Sequence, residues 1–508
     1  MTSVGTPPAA PVTAEAPMRR LDRRMIWVDA IQMVISLIPT VVALAVFKVE
    51  PRPQVIWPAA LVAVLGVVTA VNDLFRWLKT RYRVTPDRVE VRTGLLVRSN
   101  LSVPRDRIRS VESTANLKQR LAGLRVVTIG TGRHASAGEA TIELNAVRRE
   151  TAEELRRLLL RGADRPDDAT VLAELRWRWL LYNLVNIWAF LTAMFVIWSA
   201  YWLLNNFGVE LDTWVLGLAD WEALGPGVTI AVATAAVGLI GVAGLVIGFV
   251  TEFWEFRLTR VRTAAGTALR TTNGLLRTRE VNRDDNRLRG VHIGEPLFWR
   301  WMGAADTAVI STGLAKAGMG AEPASTILPR GPIAEALRVA RLVLGGDDRP
   351  FEAPLRPHPR RALRRRVIWA LNTTGALTVL LLWLDLTVEA LPGGLWLAGP
   401  GVAPVAVLAA VVAYRALGHT VHGRYLVTRS GLLTRSTDAL DRSAVIGWKF
   451  RQSLLQRRLN LVTVIATTAA GYGRYKAPDL DLHDGVEFAD RATPDMLTPF
   501  ITRIPPRR

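Results

Sequence analysis

The 508-residue sequence lacks cysteine altogether, which excludes disulfide bonds, thiolate metal ligands and a cysteine nucleophile. It also lacks a Walker phosphate-binding loop and the GxSxG turn of a nucleophilic serine. Of its six histidines only His419 and His422 lie close together, and no carboxylate or cysteine near them completes a metal site. We interpret this pair as histidines near lipid headgroups. The sequence therefore predicts no catalytic residue, no cofactor, no metal site and no enzymatic activity.

The sequence has fewer acidic than basic residues: 44 Asp and Glu compared with 64 Lys and Arg, which gives a net charge of +20. Such a surplus fits nucleic-acid binding, an anionic membrane surface, or the topology of a membrane protein. Lys and Arg are almost absent between the two members of each pair of long apolar runs, but numerous outside the pairs. This placement favours membrane topology, and we predict no nucleic-acid partner.

Long apolar runs are abundant, and each is near the about 20 residues that a helix needs to cross a bilayer core. The six runs are Ile26–Phe47, Val55–Leu78, Leu180–Leu204, Val228–Phe249, Val367–Val388 and Leu395–Leu417. They are apolar on all faces and bounded by Trp, Tyr and Arg, which favours membrane helices over buried helices of a soluble protein. Their pairing predicts three transmembrane hairpins.

Basic residues set the predicted orientation of these hairpins. They cluster before the first helix and after the second helix of each pair, for example at Arg23 and Arg24 and at Arg360 and Arg361. The loop Asn205–Leu224 has four acidic residues and no Lys or Arg. Because basic loops stay inside, we predict a multi-pass protein of the cell membrane, with both termini and all three regions between hairpins in the cytoplasm.

One segment recurs three times, each time after a pair of apolar runs. The copies are Leu117–Thr131, Leu297–Thr312 and Leu454–Thr468. Each reads as a short turn with a basic residue, followed by a β-strand, and Arg120, Arg300 and Arg457 occupy equivalent positions. An internal repeat of this kind decides the architecture. It predicts three copies of one structural unit, each consisting of two membrane helices and a small β domain.

Each region after a hairpin contains short strands separated by turns and ends in a helical segment. The predicted closing helices are Glu150–Arg161, Pro332–Leu344 and Pro494–Thr502. Short strands closed by one helix favour a small antiparallel barrel or paired sheets with a helical cap. In the third region only three residues separate Thr428 from Gly431, against nine between Thr85 and Gly94. The third region is therefore expected to lack most of its first hairpin.

These features give a membrane α + β fold class with seven predicted segments. They are a disordered tail at 1–18, transmembrane hairpins at 19–78, 176–254 and 351–418, and small β domains at 79–175, 255–350 and 419–508, the last of them shortened.

The motifs of the first and third regions identify a resemblance. They are Tyr82-Val84-Thr85, Gly94-Leu95-Leu96-Arg98 and Gln119-Arg120-Gly123-Leu124, then Tyr425-Val427-Thr428, Gly431-Leu432-Leu433-Arg435 and Gln456-Arg457-Leu461. The chain resembles the bacterial membrane-associated pleckstrin-homology (PH)-like domains in their triple-repeat, YdbS/YdbT-like form. The second copy departs from the pattern, with Trp299 in place of Gln and Ala304 in place of Leu.

The resemblance implies a seven-strand barrel with a C-terminal helix and no established enzymatic activity. It also implies a role in envelope stress or in resistance to membrane-active compounds. It implies a shorter PH-like membrane homologue as a partner, and we also expect membrane lipids as partners, with self-association as the alternative to the homologue.

Basic residues on the recurring turn are the candidate site. Lys118 and Arg120 in the first copy and Arg457 and Arg458 in the third could bind anionic headgroups beside the membrane anchor. The alternative is a structural role for the motif arginine. Because the position persists as Arg300 in the divergent copy, we favour structure for Arg120, Arg300 and Arg457.

Two functions are favoured from the sequence, and a third, a membrane-bound enzyme, has the least support. The first is a non-enzymatic membrane scaffold whose three cytoplasmic PH-like domains bind proteins or anionic lipids. The second is a transporter or channel component with regulatory PH-like domains. Ionisable residues such as Asp73 and Asp385 lie toward the ends of the runs, which argues against transport. Pro400 and Pro404 are expected to break the sixth helix and are the best indication of something beyond anchoring.

Overall fold

The computed structural model describes residues 18–25, 27, 31, 53–85, 87–93, 99–104, 108, 110–130, 141–159, 169–184, 187–206, 221–263, 266–312, 325–345, 348–388, 393–494 and 496–500. The chain divides into two compact units, Met1–Thr170 with Asn186–Asp284, and Val171–Val185 with Asp285–Arg508. The fold is a mixture of apolar helices and antiparallel sheets.

The strands are β1 Arg19–Arg20, β2 Arg81–Val84, β3 Arg88–Thr93, β4 Ser99–Pro104, β5 Ser110–Asn116, β6 Leu124–Gly130, β7 Thr141–Arg148, β8 Thr170–Glu174, β9 Arg257–Thr263, β10 Gly266–Asn273, β11 Arg277–Asp284, β12 Leu288–Pro296, β13 Ala304–Ser311, β14 Thr326–Pro332, β15 Gly418–His422, β16 Tyr425–Ser430, β17 Thr434–Asp441, β18 Gly447–Arg451, β19 Leu461–Thr467 and β20 Arg474–Asp481. The helices are α1 Pro53–Lys79, α2 Leu117–Leu121, α3 Arg149–Leu159, α4 Trp179–Leu184, α5 Ile187–Asn206, α6 Trp221–Phe253, α7 Leu297–Trp301, α8 Ile333–Leu344, α9 Arg360–Thr387, α10 Ala398–Arg415, α11 Leu454–Arg458 and α12 Leu482–Ala492.

Three helices in the described part of the chain are long and apolar enough to cross a membrane. They are Gly225–Phe253 within α6, Arg360–Thr387, and Leu395–Arg415 containing α10. They match the fourth, fifth and sixth predicted runs. The second run forms the 27-residue α1, and the third contains a shorter apolar helix, Ala193–Trp202. The first run lies outside the described residues apart from Trp27 and Ile31. Three candidate spans are thus present, and six membrane helices are not shown.

The sixth run is one continuous helix, so the expected break at Pro400 and Pro404 is wrong. α10 runs from Ala398 to Arg415 with Pro404 inside it. Pro400 lies in the first turn, where the backbone N–H has no helical partner to lose. Gly399 packs directly on α9, since a Cβ there would lie 2.8 Å from the Cα of Thr378. The helix therefore continues past Pro404 and packs closely on its hairpin partner.

The first unit contains two antiparallel sheets. One has the strand order β1-β2-β3-β4, and the other includes the order β7-β6-β5-β11-β10-β9. Strand β5 pairs with β6 of its own region and with β11 of the next region. The core between the sheets and α3 is apolar, with Val89, Val127, Ile129 and Leu144 almost fully buried.

The second unit repeats this arrangement. Its larger sheet has the order β14-β13-β12-β17-β16-β15, and a smaller sheet has the order β18-β19-β20. Strand β12 pairs with β13 and with β17 of the next region. The core around α12 includes Leu440, Val462, Val464 and Phe488. The middle region thus contributes β9–β11 to the first unit and β12–β14 to the second.

The closing helix of the third region differs from its prediction at Pro494–Thr502. The observed helix is α12, and only a short 3-10 turn, Thr498–Phe500, lies in the predicted range. Asp481 caps α12 by accepting a hydrogen bond from the His483 N–H. Helix α12 buries Phe488, Ala489 and Ala492 on one side and is polar on the other. Its few apolar residues give a weak helical pattern in the sequence. The other two closing helices match α3 and α8.

The third region also has the hairpin that its spacing predicted it to lack. β15 pairs with β16 from Gly418↔Arg429 to His422↔Tyr425. Tyr425 therefore lies in β16, the second strand of the third region, whereas Tyr82 lies in β2, the first strand after helix α1. The two tyrosine motifs are not equivalent, because the first strand of the third region begins directly after α10.

Candidate functional site

The recurring segment forms a five-residue helix in all three copies, and these short helices are α2, α7 and α11. Each follows a strand and leads directly into the next strand of its sheet. In each unit the hydrogen bonds place these helices beside the ends of long apolar helices. We call the exposed surface of each short helix, with the hairpin turn beside it, a tip.

The first tip lies at the end of α6. The turn between β10 and β11 is bound to that helix, since the Gly274 N–H donates to Trp254 O at 2.9 Å and the Leu275 N–H donates to Thr251 O at 2.8 Å. Arg120 of α2 donates to Leu275 O at 2.7 Å. The motif arginine therefore ties the short helix to a turn that is itself held against the apolar helix.

The second tip lies at the end of α10. Arg429 of β16 pairs with Gly418, three residues after α10 ends. The turn that follows β16 is therefore at this end of the sheet. The Leu297 N–H donates to Leu433 O of that turn at 2.6 Å, so α7 lies beside it.

The third tip lies at the start of α9. Arg361 donates to Leu459 O, at the end of α11, at 3.4 Å, and to Asp481 at 2.9 Å. The first copy has the same contact, in which Arg24 donates to Ala122 O at 3.1 Å. Both arginines precede their partner by 98 residues. From the sequence, both arginines are assigned only to the orientation of the membrane helices. Their shared separation from the short helix is the signal for their second role, the hydrogen bond to the end of that helix.

The motif glutamine has a structural role. Gln456 completes a capping box with Ser453 at the start of α11. It also donates to Asp479, which is fully buried, at 2.9 Å. Arg365 and Arg366 of α9 reach the same carboxylate at 2.6 and 3.2 Å. Helix α11 is therefore joined to the first turns of α9 through one buried carboxylate. In the first copy, the Asn116 N–H donates to Gln119 at 3.0 Å.

The second copy replaces this polar contact with an aromatic one. Trp299 stands at the glutamine position, and the guanidinium of Arg330 lies 4.0 Å from the centroid of its ring. Arg330 also makes two hydrogen bonds of 2.8 Å to Asp306. A cation–π contact thus holds α7 where hydrogen bonds hold α11.

The four predicted headgroup-binding residues fall into different settings. Arg457 and Arg458 are exposed in the last turn of α11. Arg120 is exposed but occupied by the contact with Leu275. Lys118 lies in α2, and its side chain is outside the described residues. Lys118 and Arg120 belong to the first tip, and Arg457 and Arg458 belong to the third. Of the four, Arg120 has a structural contact, its hydrogen bond to Leu275 O.

Exposed apolar side chains at the tips are functional candidates that the sequence reasoning missed. They are Leu121 at 82%, Phe298 at 62%, Trp301 at 73%, Leu433 at 71% and Leu454 at 81% exposure. Phe298 and Trp301 pack edge to face with ring centroids 5.8 Å apart. Large exposed apolar groups rimmed by basic residues mark surfaces for membranes or partners. The signal was present as bulky apolar residues at the outer positions of a five-residue helix.

The interpretation of His419 and His422 as a pair near lipid headgroups is wrong for His419, which is buried in the third region. His419 is buried against Phe488 and His358, whereas His422 is exposed. Burial lowers the pKa of His358 to about 3 and the pKa of His419 to about 4, so both rings are neutral at pH 7. No cluster of three or more metal-ligating side chains occurs among the residues that the structure describes.

Comparison with known protein families gives one match. The family described as bacterial PH domain matches residues 34–163 and again 367–496, together just over half of the 508-residue chain. Each match begins within a predicted membrane run and ends just past a closing helix, α3 or α12. Two copies are found, not three, because the middle region is not matched. Comparison with curated proteins and with solved structures gives no match.

Proposed function

The chain belongs to the bacterial PH domain family, and from this we propose that it is a non-enzymatic integral membrane scaffold whose PH-like domains bind the anionic headgroup layer. The observation that carries the proposal is the position of the tips. The first tip is hydrogen-bonded to the end of α6, and the third tip is hydrogen-bonded to the start of α9. The second tip lies at the end of the sheet where β15 begins, just after α10. A tip so placed lies at the level of the headgroups when its helix spans the bilayer.

The tip chemistry suits that layer. Arg457 and Arg458 beside exposed Leu454, and Arg120 beside exposed Leu121, combine positive charge with an apolar group. Each basic residue near an anionic surface contributes about 1 kcal/mol. Tryptophan, as in the second tip, is enriched where one end of the ring is apolar and the other is wet.

The finer architecture belongs to the same proposal. We place six membrane helices in the cell membrane, with both termini and three PH-like domains in the cytoplasm. The strand order of the middle region supports a third, divergent domain, because β9–β11 and β12–β14 follow the order of the strands in the matched regions. Envelope stress or resistance to membrane-active compounds is the physiological setting that the family resemblance supports.

The transporter alternative has less support. Helix α10 is continuous. Asp385, near the end of α9, accepts hydrogen bonds from the Gly394 N–H at 3.1 and 3.3 Å. This contact at the end of α9 gives the acidic side chain a structural partner, which supports anchoring more than a transport path.

The absence of native cysteine allows a direct test with the full-length chain. An environment-sensitive fluorophore on Leu454→Cys, in vesicles with nitroxide-labelled lipids, reports the depth of the third tip. We expect strong quenching in vesicles containing phosphatidylglycerol and weaker quenching in pure phosphatidylcholine. The matched control is Tyr472→Cys, because exposed Tyr472 follows the end of β19 that is remote from α11.

Two outcomes would count against the proposal. Equal quenching at residues 454 and 472 would place the tip away from the bilayer. An anionic preference that persists in the Arg457→Gln/Arg458→Gln variant would show that these arginines do not bind headgroups.

A further inference from the structure

Successive repeats of this chain are joined by the same strand pairing. β5 pairs with β11 from Ser110↔Arg283 to Asn116↔Arg277. β12 pairs with β17 from Gly290↔Leu440 to Pro296↔Thr434. In both cases the strand before a short helix pairs with the third strand of the next repeat. The junction is therefore a property of the repeat and not of one pair of sequences.

The pattern leaves one complementary edge in each unit. β18 is the strand before α11, and it is the terminal strand of the sheet β18-β19-β20. β4 is the third strand of the first repeat, and it is the terminal strand of the sheet β1-β2-β3-β4. No strand in the described part of the chain pairs with the outer side of either one. These are the two positions where a repeat has no neighbour.

An open edge exposes unpaired N–H and C=O groups and can serve as a template for another strand. Proline interrupts neither edge, since β18 has none and β4 has only Pro104 at its last position. β18 carries two positive charges, Lys449 and Arg451, and β4 carries no charge. Pairing β18 with β4 therefore opposes no like charges, whereas pairing two copies of β18 would.

The two existing junctions also fix a register. In each, the residue just before the short helix pairs with the third residue after the turn glycine, as Asn116↔Arg277 after Gly274 and Pro296↔Thr434 after Gly431. By the same rule, the residue three positions earlier pairs with the sixth residue after the glycine, as Ser113↔Glu280 and Ile293↔Thr437, and the corresponding sequence positions at the open edges are Phe450 and Asn100. Extending this antiparallel register pairs Phe450 with Asn100, Lys449 with Leu101 and Trp448 with Ser102.

The side chains agree with this register. Trp448 packs against the core of the third repeat, and its partner Ser102 is exposed. Leu101 packs against the core of the first repeat, and its partner Lys449 is exposed. The observed junction alternates in the same way, since Leu440 enters the core of the third repeat opposite Gly290.

We propose that β18 of one copy pairs with β4 of a second copy of this chain, so that copies associate head to tail in the membrane. Such an interface uses two different surfaces and produces rings or open chains. The inference rests on strand order and register alone, so it is independent of headgroup binding.

The test is disulfide crosslinking in native membranes on the cysteine-free chain. Two differently tagged forms, one with Asn100→Cys and one with Phe450→Cys, are co-expressed and mildly oxidised. We expect a crosslinked species carrying both tags. A second pair, Leu101→Cys with Lys449→Cys, should crosslink as well. Either cysteine form expressed alone should yield no head-to-tail product.

The matched control combines Asn100→Cys with Lys476→Cys, an exposed position on β20 at the far side of the same three-stranded sheet. Absence of the mixed product at both test pairs would overturn the proposal, and so would equal yield with the control pair. In a chain carrying both Asn100→Cys and Phe450→Cys we expect a ladder of oligomers. A disulfide formed only within single chains would likewise overturn it.

Discussion

The second and third repeats hold the same short helix in the same place with different chemistry. In the third, Gln456 and two arginines of α9 converge on the buried carboxylate of Asp479. In the second, Arg330 stacks on Trp299 and binds Asp306. The family match covers the third repeat and omits the second. The comparison shows that the position of the tip is a property of the fold, whereas its attachment can change with the sequence.

The surfaces of these two tips differ in the same way. The third tip is basic, with Arg457 and Arg458 exposed beside Leu454. The second is aromatic, with Phe298 and Trp301 exposed. We therefore expect the third tip to depend on buried charge for its stability and on surface charge for binding, and the second tip to depend on neither.

The largest effect is expected at Asp479. Asp479→Ala removes the only described acceptor common to Arg365 and Arg366 and leaves two charges without compensation. Loss of one partner of a buried ion pair costs about 3–5 kcal/mol. The measurement is the midpoint of thermal unfolding in detergent, compared with Asp484→Ala on the exposed side of α12. A fall no larger than that of Asp484→Ala would show that the network contributes nothing to stability.

A smaller effect is expected for the motif glutamine, and it should differ between repeats. Gln456→Ala loses the bond from the Ser453 N–H, which is one half of the capping box, and a bond to a buried carboxylate, which together cost about 1–3 kcal/mol. Among the described contacts, Gln119→Ala loses the bond from the Asn116 N–H, which costs about 1 kcal/mol. Unfolding midpoints of the two variants, measured side by side, give the comparison. Equal losses would contradict the special role of Asp479.

High salt should change membrane binding of the third tip more than that of the second tip. Fluorophores on Leu454→Cys and Trp301→Cys report depth in anionic vesicles. At about 1 M salt the screening length falls to about 3 Å, so the basic tip should withdraw while the aromatic tip stays. Withdrawal of both labels to the same extent would mean that charge attracts both tips.

The smallest effect is expected from His292, which joins the second and third repeats through Asp438 at 2.6 Å. Burial alone lowers the pKa of His292, but the hydrogen bond and charge of Asp438 outweigh it and raise the pKa. The pair should therefore stabilise the second unit fully below the ordinary histidine pKa of about 6.5. This contribution is lost as the pH rises through the raised pKa. Unfolding midpoints between pH 5.5 and 8.5 should converge for wild type and His292→Gln at high pH, and a constant difference would contradict the assignment.

Much of the candidate site could be predicted from the sequence. The three recurring segments form equivalent short helices, and the matches to the family cover the first and third of them. Arg120 donates a hydrogen bond to Leu275 O, and its roles in structure and in headgroup binding stay predictions. The apolar surface was missed because Leu454 and Trp301 look like core residues in a segment of strands. Whether an apolar residue on a five-residue helix points inward depends on what packs against it.

The sequence by itself determined the local repeat, because hydrophobic runs, turn residues and the glutamine–arginine motif act within a few residues of each other. It also determined three candidate spans, because length and hydropathy decide whether a helix can cross a bilayer. Only the tertiary structure decided that β5 pairs with β11 and β12 with β17. Such pairing uses backbone groups that every sequence shares, so the pattern of one strand can restrict its register but does not by itself say which strand is its neighbour. The open edges at β4 and β18 follow from the same tertiary choice.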